Sequence, residues 1–314
     1  MTSPVAVVGA GLVGAGWAIV FSRAGYPVRL YDGDASIRER ALVGIRANLD
    51  DLESFQLIES AQAVIDNILV CDSLEDAVSG VSYVQESVFE TVLVKSEITA
   101  ALDAACDEHV VIGSSSSGIP ASAFTEDLEG RHRCLIAHPV NPPYLVPLVE
   151  LVPAPWTDSA VVQSTHDLMT AVGQAPIRIE REVEGFVLNR LQGALLNEAW
   201  ALFEEGYASA EDIDKTVSEG LGLRWSFMGP FQTIDLNAPG GIADYAERLG
   251  PLYHSVAQSR TEPKPWSKDL IQDVESERRK DLSEQDLASR REWRDRRLMA
   301  LAAHKNKTSK DIGD

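Results

Sequence analysis

Short apolar runs alternate with longer stretches of helical spacing along the first half of the chain. The apolar, β-branched run Val5–Val8 predicts a buried parallel strand, and Pro27–Tyr31 predicts a second strand. Between them, Gly9–Gly16 predicts a glycine-rich turn and Trp17–Ala24 predicts a helix. These elements together predict one βαβ unit at the start of the chain.

The alternation continues and then stops. Helical spacing runs from Ser36 to Asn67 and again over Thr91–Cys106. Further strands are predicted at Ile68–Cys71, Ser82–Gln85, Val110–Gly113, Arg133–Ala137 and Val146–Val152. After Glu184 the pattern is almost entirely helical, beginning with GFVLNRLQGALLNEAWALFEEG. We therefore predict an α/β, Rossmann-type, doubly wound and mostly parallel sheet over residues 1–185, followed by an all-helical domain over residues 186–314.

The composition excludes several classes of partner. The 314 residues carry a formal net charge of −20, which disfavours binding to nucleic acid or to anionic lipid. The three cysteines, Cys71, Cys106 and Cys134, have no metal-binding spacing, so we expect reduced thiols and no metal site. The start MTSPVAVVGAG has no features of a signal peptide, and the apolar run after it is too short for a membrane span. We expect a cytoplasmic protein.

The first βαβ unit contains the pattern GxGxxG at Gly9, Gly11 and Gly14. In dinucleotide-binding proteins the first glycine permits the tight turn, the second admits the pyrophosphate and the third lets the helix pack on the strand. The N-terminus of the helix that follows would then face the negative charge, and Leu12 and Val13 within the turn are also predicted to bind the cofactor. We predict a dinucleotide site here, because the motif follows a strand and opens a helix.

The residue that ends the second strand indicates which dinucleotide is bound. Asp32 lies 18 residues after Gly14, where a carboxylate accepts hydrogen bonds from the adenosine ribose and repels a 2′-phosphate. The predicted cofactor is therefore NAD. Arg29 and Arg38 could serve a 2′-phosphate, which leaves NADP as the weaker alternative.

Four polar residues suit the oxidation of an alcohol. His138, in the segment IAHPVNPP, is a natural base for a hydroxyl proton, and Glu150 ends an apolar strand where a buried carboxylate needs a partner. Ser117 closes a run of four serines and Asn189 lies in GFVLNRL; both side chains could hold the reacting oxygen. Ser116 is the alternative to Ser117, but the 21-residue spacing to His138 favours Ser117.

The ordered set of these motifs resembles the L-3-hydroxyacyl-CoA dehydrogenase family over almost the whole chain. The resemblance implies that His138 and Glu150 form the catalytic pair and that Ser117 and Asn189 contact the substrate oxygen. It also implies that Glu90 and Lys95 lie on the nicotinamide side of the cofactor, and that the helical domain forms a homodimer. The segments HPVNPPYLVPLVELVP, GFVLNRLQ, GLGLRWSFMGP and RREWRD are similar to the lambda-crystallin branch of the family, whose activity is L-gulonate 3-dehydrogenation.

Two sequence features favour a small hydroxy acid over an acyl-CoA as substrate. Residues 47–94 contain ten Asp or Glu and no Lys or Arg, which would repel the phosphates of CoA. Arg224, in GLGLRWSFMGP, could bind a free carboxylate, although a surface ion pair is the alternative. L-Gulonate is our first candidate substrate, carnitine the second and acyl-CoA the third.

The second candidate is carnitine, because Arg224 does not separate it from L-gulonate. A trimethylammonium group requires aromatic walls, and Tyr144, Trp225 and Phe227 could supply them or could be core residues. The alternative that is not an enzyme is a non-catalytic, crystallin-like protein that only binds NAD(H).

Overall fold

The computed structural model describes residues 2–260 and 264–313. Within them, eight strands form one sheet: β1 (Val5–Val8), β2 (Val28–Tyr31), β3 (Ile68–Val70), β4 (Tyr83–Glu86), β5 (Val111–Ser114), β6 (Cys134–Pro139), β7 (Leu148–Pro153) and β8 (Ala175–Arg178). The helices that flank the sheet are α1 (Leu12–Arg23), α2 (Ala35–Ser54), α3 (Ala61–Ile65), α4 (Leu74–Val78), α5 (Val92–Ala105), α6 (Ser122–Thr125) and α7 (Ser159–Ala171). The helices that follow are α8 (Leu188–Glu204), α9 (Ala210–Lys215), α10 (Gly222–Trp225), α11 (Pro230–Leu236), α12 (Gly241–Gln258), α13 (Lys268–Asp281) and α14 (Leu287–Ile312).

The sheet has the order β3-β2-β1-β4-β5-β6-β7-β8. The first six strands in this order are parallel, β7 pairs antiparallel with β6, and β8 pairs parallel with β7. The predicted doubly wound, mostly parallel sheet and the helices after it are confirmed. Because the carboxyl ends of parallel strands meet at one edge, the residues that end β1, β4, β5 and β6 share that edge.

Alternate residues of β1 are buried in two different apolar layers. Val5 and Val7 belong to the cluster that also contains Trp17 and Phe21 of α1, while Ala6 and Val8 belong to the cluster that contains Leu102 of α5. This alternation follows from the two-residue period of a strand, and it places helices on both faces of the sheet.

The predicted start of the first helix is wrong by five residues, because α1 begins at Leu12 and not at Trp17. Gly14 therefore lies inside the helix, where the packing leaves no room for a side chain: a Cβ there would be 1.7 Å from the carbonyl oxygen of Gly9. The glycines of this segment permit close packing of the helix as well as the turn before it.

One further prediction needs correction, and one strand was not predicted. The helical stretch from Ser36 to Asn67 is two helices, because Gln56 has a φ of 58° and the Ser60 hydroxyl caps the amide of Ala63 at the start of α3. Strand β8 was not predicted, since its sequence APIR is short and has no clear period.

The described residues divide into two compact units. One contains the residues up to Arg190 together with Trp293–Asp311, and the other contains Leu191–Glu292 and the residues after Asp311. The tail segment, Trp293–Asp311, packs with the sheet unit: Met299 is buried in the Trp17 cluster, and the Arg296 guanidinium lies 3.2 Å from the Asp51 carboxylate. Our ranges of 1–185 and 186–314 had assigned this segment to the helical part.

The helical unit exposes many large apolar side chains. None of the residues of α8 is buried, and Leu191 on that helix is 63% exposed. Other exposed apolar residues of this unit are Leu223, Phe227, Phe231, Leu236, Leu252 and Tyr253. Exposed apolar surface of this extent is typical of a protein that binds a partner.

Candidate functional site

The glycine turn between β1 and α1 has the geometry that a dinucleotide requires. Gly9 has a φ of +99°, and a Cβ there would lie 2.5 Å from the backbone carbonyl of Ser87, so only glycine fits. A Cβ on Gly11 would meet no protein atom within 4 Å, which leaves space for a pyrophosphate against the backbone. The helix then opens at Leu12 and Val13 with its amides directed towards that space. The residues present therefore fit the expected cofactor.

Asp32 is held in place directly beside this turn. One carboxylate oxygen accepts a hydrogen bond from the amide of Ala10 at 2.8 Å, and the other accepts one from the amide of Asp34 at 2.9 Å. Arg38 donates to the carbonyl of Asp32, whereas Arg29 donates to the carbonyl of Asp76. The Arg29 side chain is thus engaged elsewhere, which weakens the NADP alternative.

His138 and Glu150 face each other across the only antiparallel pair of strands in the described sheet. The register of β6 and β7 places the two residues directly opposite one another. The Nδ1 atom of His138 lies 2.8 Å from Oε2 of Glu150, and both residues are buried. Because Glu150 occupies Nδ1, the other ring nitrogen, Nε2, is the one that can accept a proton from a ligand.

The second oxygen of Glu150 binds the start of α8. Oε1 accepts hydrogen bonds from the amides of Val187 at 2.9 Å and Leu188 at 2.8 Å. Burial raises the pKa of Glu150, but the hydrogen bonds from His138, Leu188 and Val187 outweigh it, and the net shift is downwards. Glu150 is therefore ionised at neutral pH and joins the histidine to the chain that follows.

Phe186 packs on the histidine from the same segment. Its φ is 49°, and the ring lies 5.7 Å from the His138 ring between centroids. The reversal of the backbone at Gly185 and Phe186 allows the next two amides to converge on Glu150. Sequence reasoning did not identify Phe186, and the only signal for it was its position after a glycine at the start of a long helix.

Ser117 lies in a loop that surrounds the carboxylate of Glu90. Glu90 accepts hydrogen bonds from the amides of Ser117 at 2.6 Å and Gly118 at 2.9 Å, and from the hydroxyls of Ser116 at 2.9 Å and Ser117 at 2.5 Å. Burial opposes ionisation of Glu90, yet these bonds lower its pKa to about 2. Ser116 is buried and Ser117 is partly exposed, which supports Ser117 as the substrate-facing serine.

Asn189 connects this loop to the histidine side of the site. Its Nδ2 atom donates to the carbonyl of Ser117 at 2.7 Å, and it directly follows Leu188, whose amide binds Glu150. The structure therefore brings His138, Glu150, Ser117 and Asn189 together, as the sequence had indicated. Their roles in catalysis stay a prediction.

Lys95, unlike Ser117 and Asn189, is part of a buried ion pair. Its ammonium group is 1% exposed and lies 2.9 Å from the carboxylate of Glu86, which ends β4. The described contacts of Lys95 are with protein atoms, and its expected contact with the cofactor stays a prediction. Sequence reasoning missed Glu86, although a carboxylate at the end of an apolar strand was the signal that had identified Glu150.

The loop between His138 and Glu150 packs directly on the cofactor-binding helix. A Cβ added to Gly16 of α1 would lie 2.7 Å from Cδ of Pro143, so the proline fills the space above this glycine. Arg23, which ends α1, donates to the carbonyl of Tyr144 at 2.8 Å. These contacts fix the hairpin of β6 and β7 relative to α1.

The predicted substrate-side residues beyond this group differ in their surroundings. Arg224 lies in α10 of the helical unit, is exposed, and forms no ion pair among the described residues. Tyr144 is buried in the Trp17 cluster of the sheet unit, so it is a core residue. Trp225 and Phe227 are exposed on the helical unit. The ion-pair alternative for Arg224 is therefore not supported.

Two features are absent from residues 2–260 and 264–313, a metal-binding cluster and a membrane-spanning helix. No group of three or more His, Cys, Asp or Glu side chains is arranged to hold a metal ion. No helix combines the length and the apolar character that a membrane crossing requires.

Comparisons with known proteins agree on one family of dehydrogenases. Residues 4–183 match the NAD binding domain of 3-hydroxyacyl-CoA dehydrogenase, and residues 185–282 match the C-terminal domain of the same enzyme. The chain is 42% identical over 311 residues to lambda-crystallin of Oryctolagus cuniculus, covering 96% of this chain and 97% of that one. It is 39% identical to L-carnitine dehydrogenase of Streptomyces coelicolor, covering 88% of this chain and 86% of that one. The fold is similar to that in the crystal structure of 5-formyl-3-hydroxy-2-methylpyridine 4-carboxylic acid 5-dehydrogenase, an NAD+ dependent dismutase. The TM-score is 0.80 and the identity 25%, and the match covers 96% of this chain and 98% of that one.

Proposed function

The chain belongs to the 3-hydroxyacyl-CoA dehydrogenase family, and we propose that it oxidises the 3-hydroxyl of a small free hydroxy acid, with L-gulonate as the first candidate and 3-dehydro-L-gulonate as product. It is an NAD-dependent oxidoreductase that acts on 3-hydroxy groups. The observation that carries the proposal is the 2.8 Å contact between His138 and Glu150 at the edge of the sheet where the glycine turn lies.

The reaction removes a hydride from the carbinol carbon and a proton from its hydroxyl, and bound NAD supplies the hydride acceptor. His138 takes the hydroxyl proton on Nε2, because Nδ1 is held by Glu150. The ionised Glu150 carboxylate stabilises the imidazolium that this transfer creates. The surrounding burial strengthens this effect, since charge interactions are weakly screened away from water.

Ser117 and Asn189 hold the reacting oxygen in this proposal. The Ser117 hydroxyl donates to Glu90 in the structure, and rotation of this hydroxyl would let it donate to a lone pair of the substrate oxygen, whose own proton goes to His138. The same donated hydrogen bond would serve the carbonyl oxygen of the product. Gly9, Gly11, Gly14 and Asp32 bind the cofactor, and Glu90 and Lys95 lie on its nicotinamide side.

The preference for a free acid is supported by charge. Arg224 is exposed, has no ion-pair partner among the described residues, and presents a guanidinium suited to bidentate binding of a carboxylate. The acidic segment 47–94 disfavours the phosphates of CoA. Arg224 therefore recognises the carboxylate of the substrate in our proposal.

Carnitine and acyl-CoA are the alternative substrates. The similarity to L-carnitine dehydrogenase supports carnitine, but Tyr144 is a core residue, which removes one of three candidate walls for a trimethylammonium group. A non-catalytic, crystallin-like protein that binds NAD(H) is the alternative from another class. The intact contact between His138 and Glu150 argues against it.

We also propose a cytoplasmic homodimer formed through the helical unit. The exposed Leu191, Phe231 and Leu236 would be covered by the same surface of a second copy. The three cysteines are free and buried, as expected in a reducing compartment. Light scattering of the purified chain would measure its mass directly, and a monomeric mass would contradict the dimer.

The test is reduction of NAD, and separately of NADP, with L-gulonate, L-carnitine, 3-hydroxybutyrate and 3-hydroxybutyryl-CoA. We expect the highest kcat/KM with L-gulonate and NAD. Loss of the guanidinium in Arg224→Met should raise KM for the free acid about tenfold or more, since a charge-assisted hydrogen bond contributes about 1.5–3 kcal/mol. The matched control is Arg248→Met, an exposed arginine of the same unit that pairs with Asp244. Preference for the CoA ester, or equal KM in the two variants, would contradict the assignment.

A further inference from the structure

A buried ion pair lies beneath the loops that carry Glu90 and Ser117. Lys95 of α5 and Glu86 of β4 are 1% and 0% exposed, and the ammonium nitrogen lies 2.9 Å and 3.0 Å from the two carboxylate oxygens. Removing two charges from water is costly, so a pair of this kind needs further hydrogen bonds to be tolerated. None of the chemistry proposed above uses Glu86.

The carboxylate of Glu86 binds three segments of the chain. Besides Lys95, it accepts the amide of Val88 at 2.7 Å and the hydroxyl of Ser114, which ends β5. Ser114 is buried, and its oxygen in turn accepts the amide of Ser116 at 3.3 Å. Glu86 therefore fixes the loop after its own strand and, through Ser114, the start of the serine loop.

The contacts continue from there to the residues of the site. The Ser116 hydroxyl donates to Glu90 at 2.9 Å, and Glu90 holds both the amide and the hydroxyl of Ser117. The carbonyl of Ser117 then accepts the side chain of Asn189. The single Ser116 hydroxyl proton has two acceptors, Glu90 and the carbonyl of Ile119 at 2.8 Å. Polar contacts thus connect a buried ion pair to Ser117 and Asn189, which contact the substrate oxygen in the proposed function.

We propose that Glu86 and Ser114, together with Lys95, are positioning residues that set the orientation of Ser117. This inference rests on the proposed function, in which Ser117 contacts the reacting oxygen. Glu86 is fixed by the strand, by Lys95 and by the Val88 amide, so it offers the Ser114 hydroxyl an acceptor at a fixed position. Without the Ser114 hydroxyl, the Ser116 amide loses its acceptor, and the serine loop is held only by its remaining bonds at Ser115 and to Glu90.

Ser114→Ala is the primary variant, because it removes one hydroxyl and leaves the ion pair intact. With L-gulonate and NAD we expect kcat to fall about tenfold to a hundredfold, the range that small misplacements of reacting groups produce, while KM for NAD is unchanged. The matched control is Ser22→Ala, which removes an equally buried hydroxyl that bonds only within α1. Equal kcat values for the two variants and the wild type would overturn the proposal.

A second measurement does not depend on the substrate. In a double-mutant cycle of melting temperatures, Ser114→Ala and Glu90→Gln should deviate from additivity by about 2 °C or more, because both act on the same loop. Ser22→Ala and Glu90→Gln should be additive. Additivity in both cycles would overturn the positioning role. A wild-type protein inactive on L-gulonate would contradict the substrate assignment alone, because the thermal cycle would still decide the role of Ser114.

Discussion

Replacement of Glu150 by Gln tests the link between the histidine and the start of α8. The wild-type carboxylate accepts three hydrogen bonds, one involving His138 and two from the amides of Val187 and Leu188. A glutamine has one acceptor oxygen and one donor group, so it cannot serve both sides. If the amide nitrogen faces the histidine, Nδ1 must accept, and the proton moves to Nε2, where it blocks the base.

The expected loss of activity follows from the charge. A hydrogen bond to a charged group contributes about 1.5–3 kcal/mol, and about 1.4 kcal/mol corresponds to a factor of ten in rate. Because Glu150 is fully buried, water does not replace the lost interaction. We therefore expect kcat of Glu150→Gln to fall about 10- to 150-fold, and further if the wrong tautomer predominates.

The assay is steady-state NADH formation, with urea unfolding measured in parallel. The matched control is Glu182→Gln, which changes a partly buried carboxylate that accepts the amide of Ser122 away from the histidine. We expect its kcat to stay within about twofold of the wild type, the change expected for a site without contact to the chemistry. A kcat for Glu150→Gln as high as that of the control would refute the reasoning.

Four further substitutions test the cofactor side of the site. Gly14→Ala should prevent stable folding, because its Cβ would lie 1.7 Å from the carbonyl oxygen of Gly9. Gly11→Ala should have the melting temperature of the wild type and bind NADH more weakly. Equal melting temperatures for the two variants would contradict this difference. Asp32→Ala should raise KM for NAD about tenfold and permit turnover with NADP, and an unchanged ratio of the two cofactors would argue against its role. The pKa of Glu90 in the folded state is lowered to about 2 from 4.5. The difference in the free energy of unfolding between the wild type and Glu90→Gln should therefore be greatest above pH 4.5 and should vanish as the pH falls to about 2. A difference independent of pH would exclude this ionisation.

The parts of the site that the sequence predicted well depend on local patterns. Gly9, Gly14 and Asp32 lie within one βαβ unit, so strand, turn and helix could be recognised together. The two glycines stand where a side chain would clash, and Asp32 accepts the Ala10 amide beside the turn, while its contact with the ribose stays a prediction. The pair formed by His138 and Glu150 was accessible for a similar reason. A twelve-residue separation is the length of a hairpin, and a buried carboxylate requires a partner.

What could not be predicted depends on contacts between distant segments. The hydrogen bonds that connect Glu86, Ser114 and Glu90 join the ends of two parallel strands, and no spacing in the sequence reveals which side chains meet there. The position of α1 depends on Gly14 packing against the backbone of Gly9 and on Gly16 packing against the ring of Pro143. The tail segment was assigned to the helical part because its pattern is helical, and only tertiary packing of Met299 places it with the sheet unit.

The most direct test of the central claim compares turnover with NADH affinity in His138→Ala, using the hydroxy acid that the wild type oxidises best. We predict a fall in kcat of about a hundredfold or more, since general base catalysis typically contributes that much. NADH affinity, measured by fluorescence, should stay within about twofold of the wild type, because no described contact joins His138 to the glycine turn or to Asp32. Activity that survives the substitution would contradict the assignment of His138 as the base.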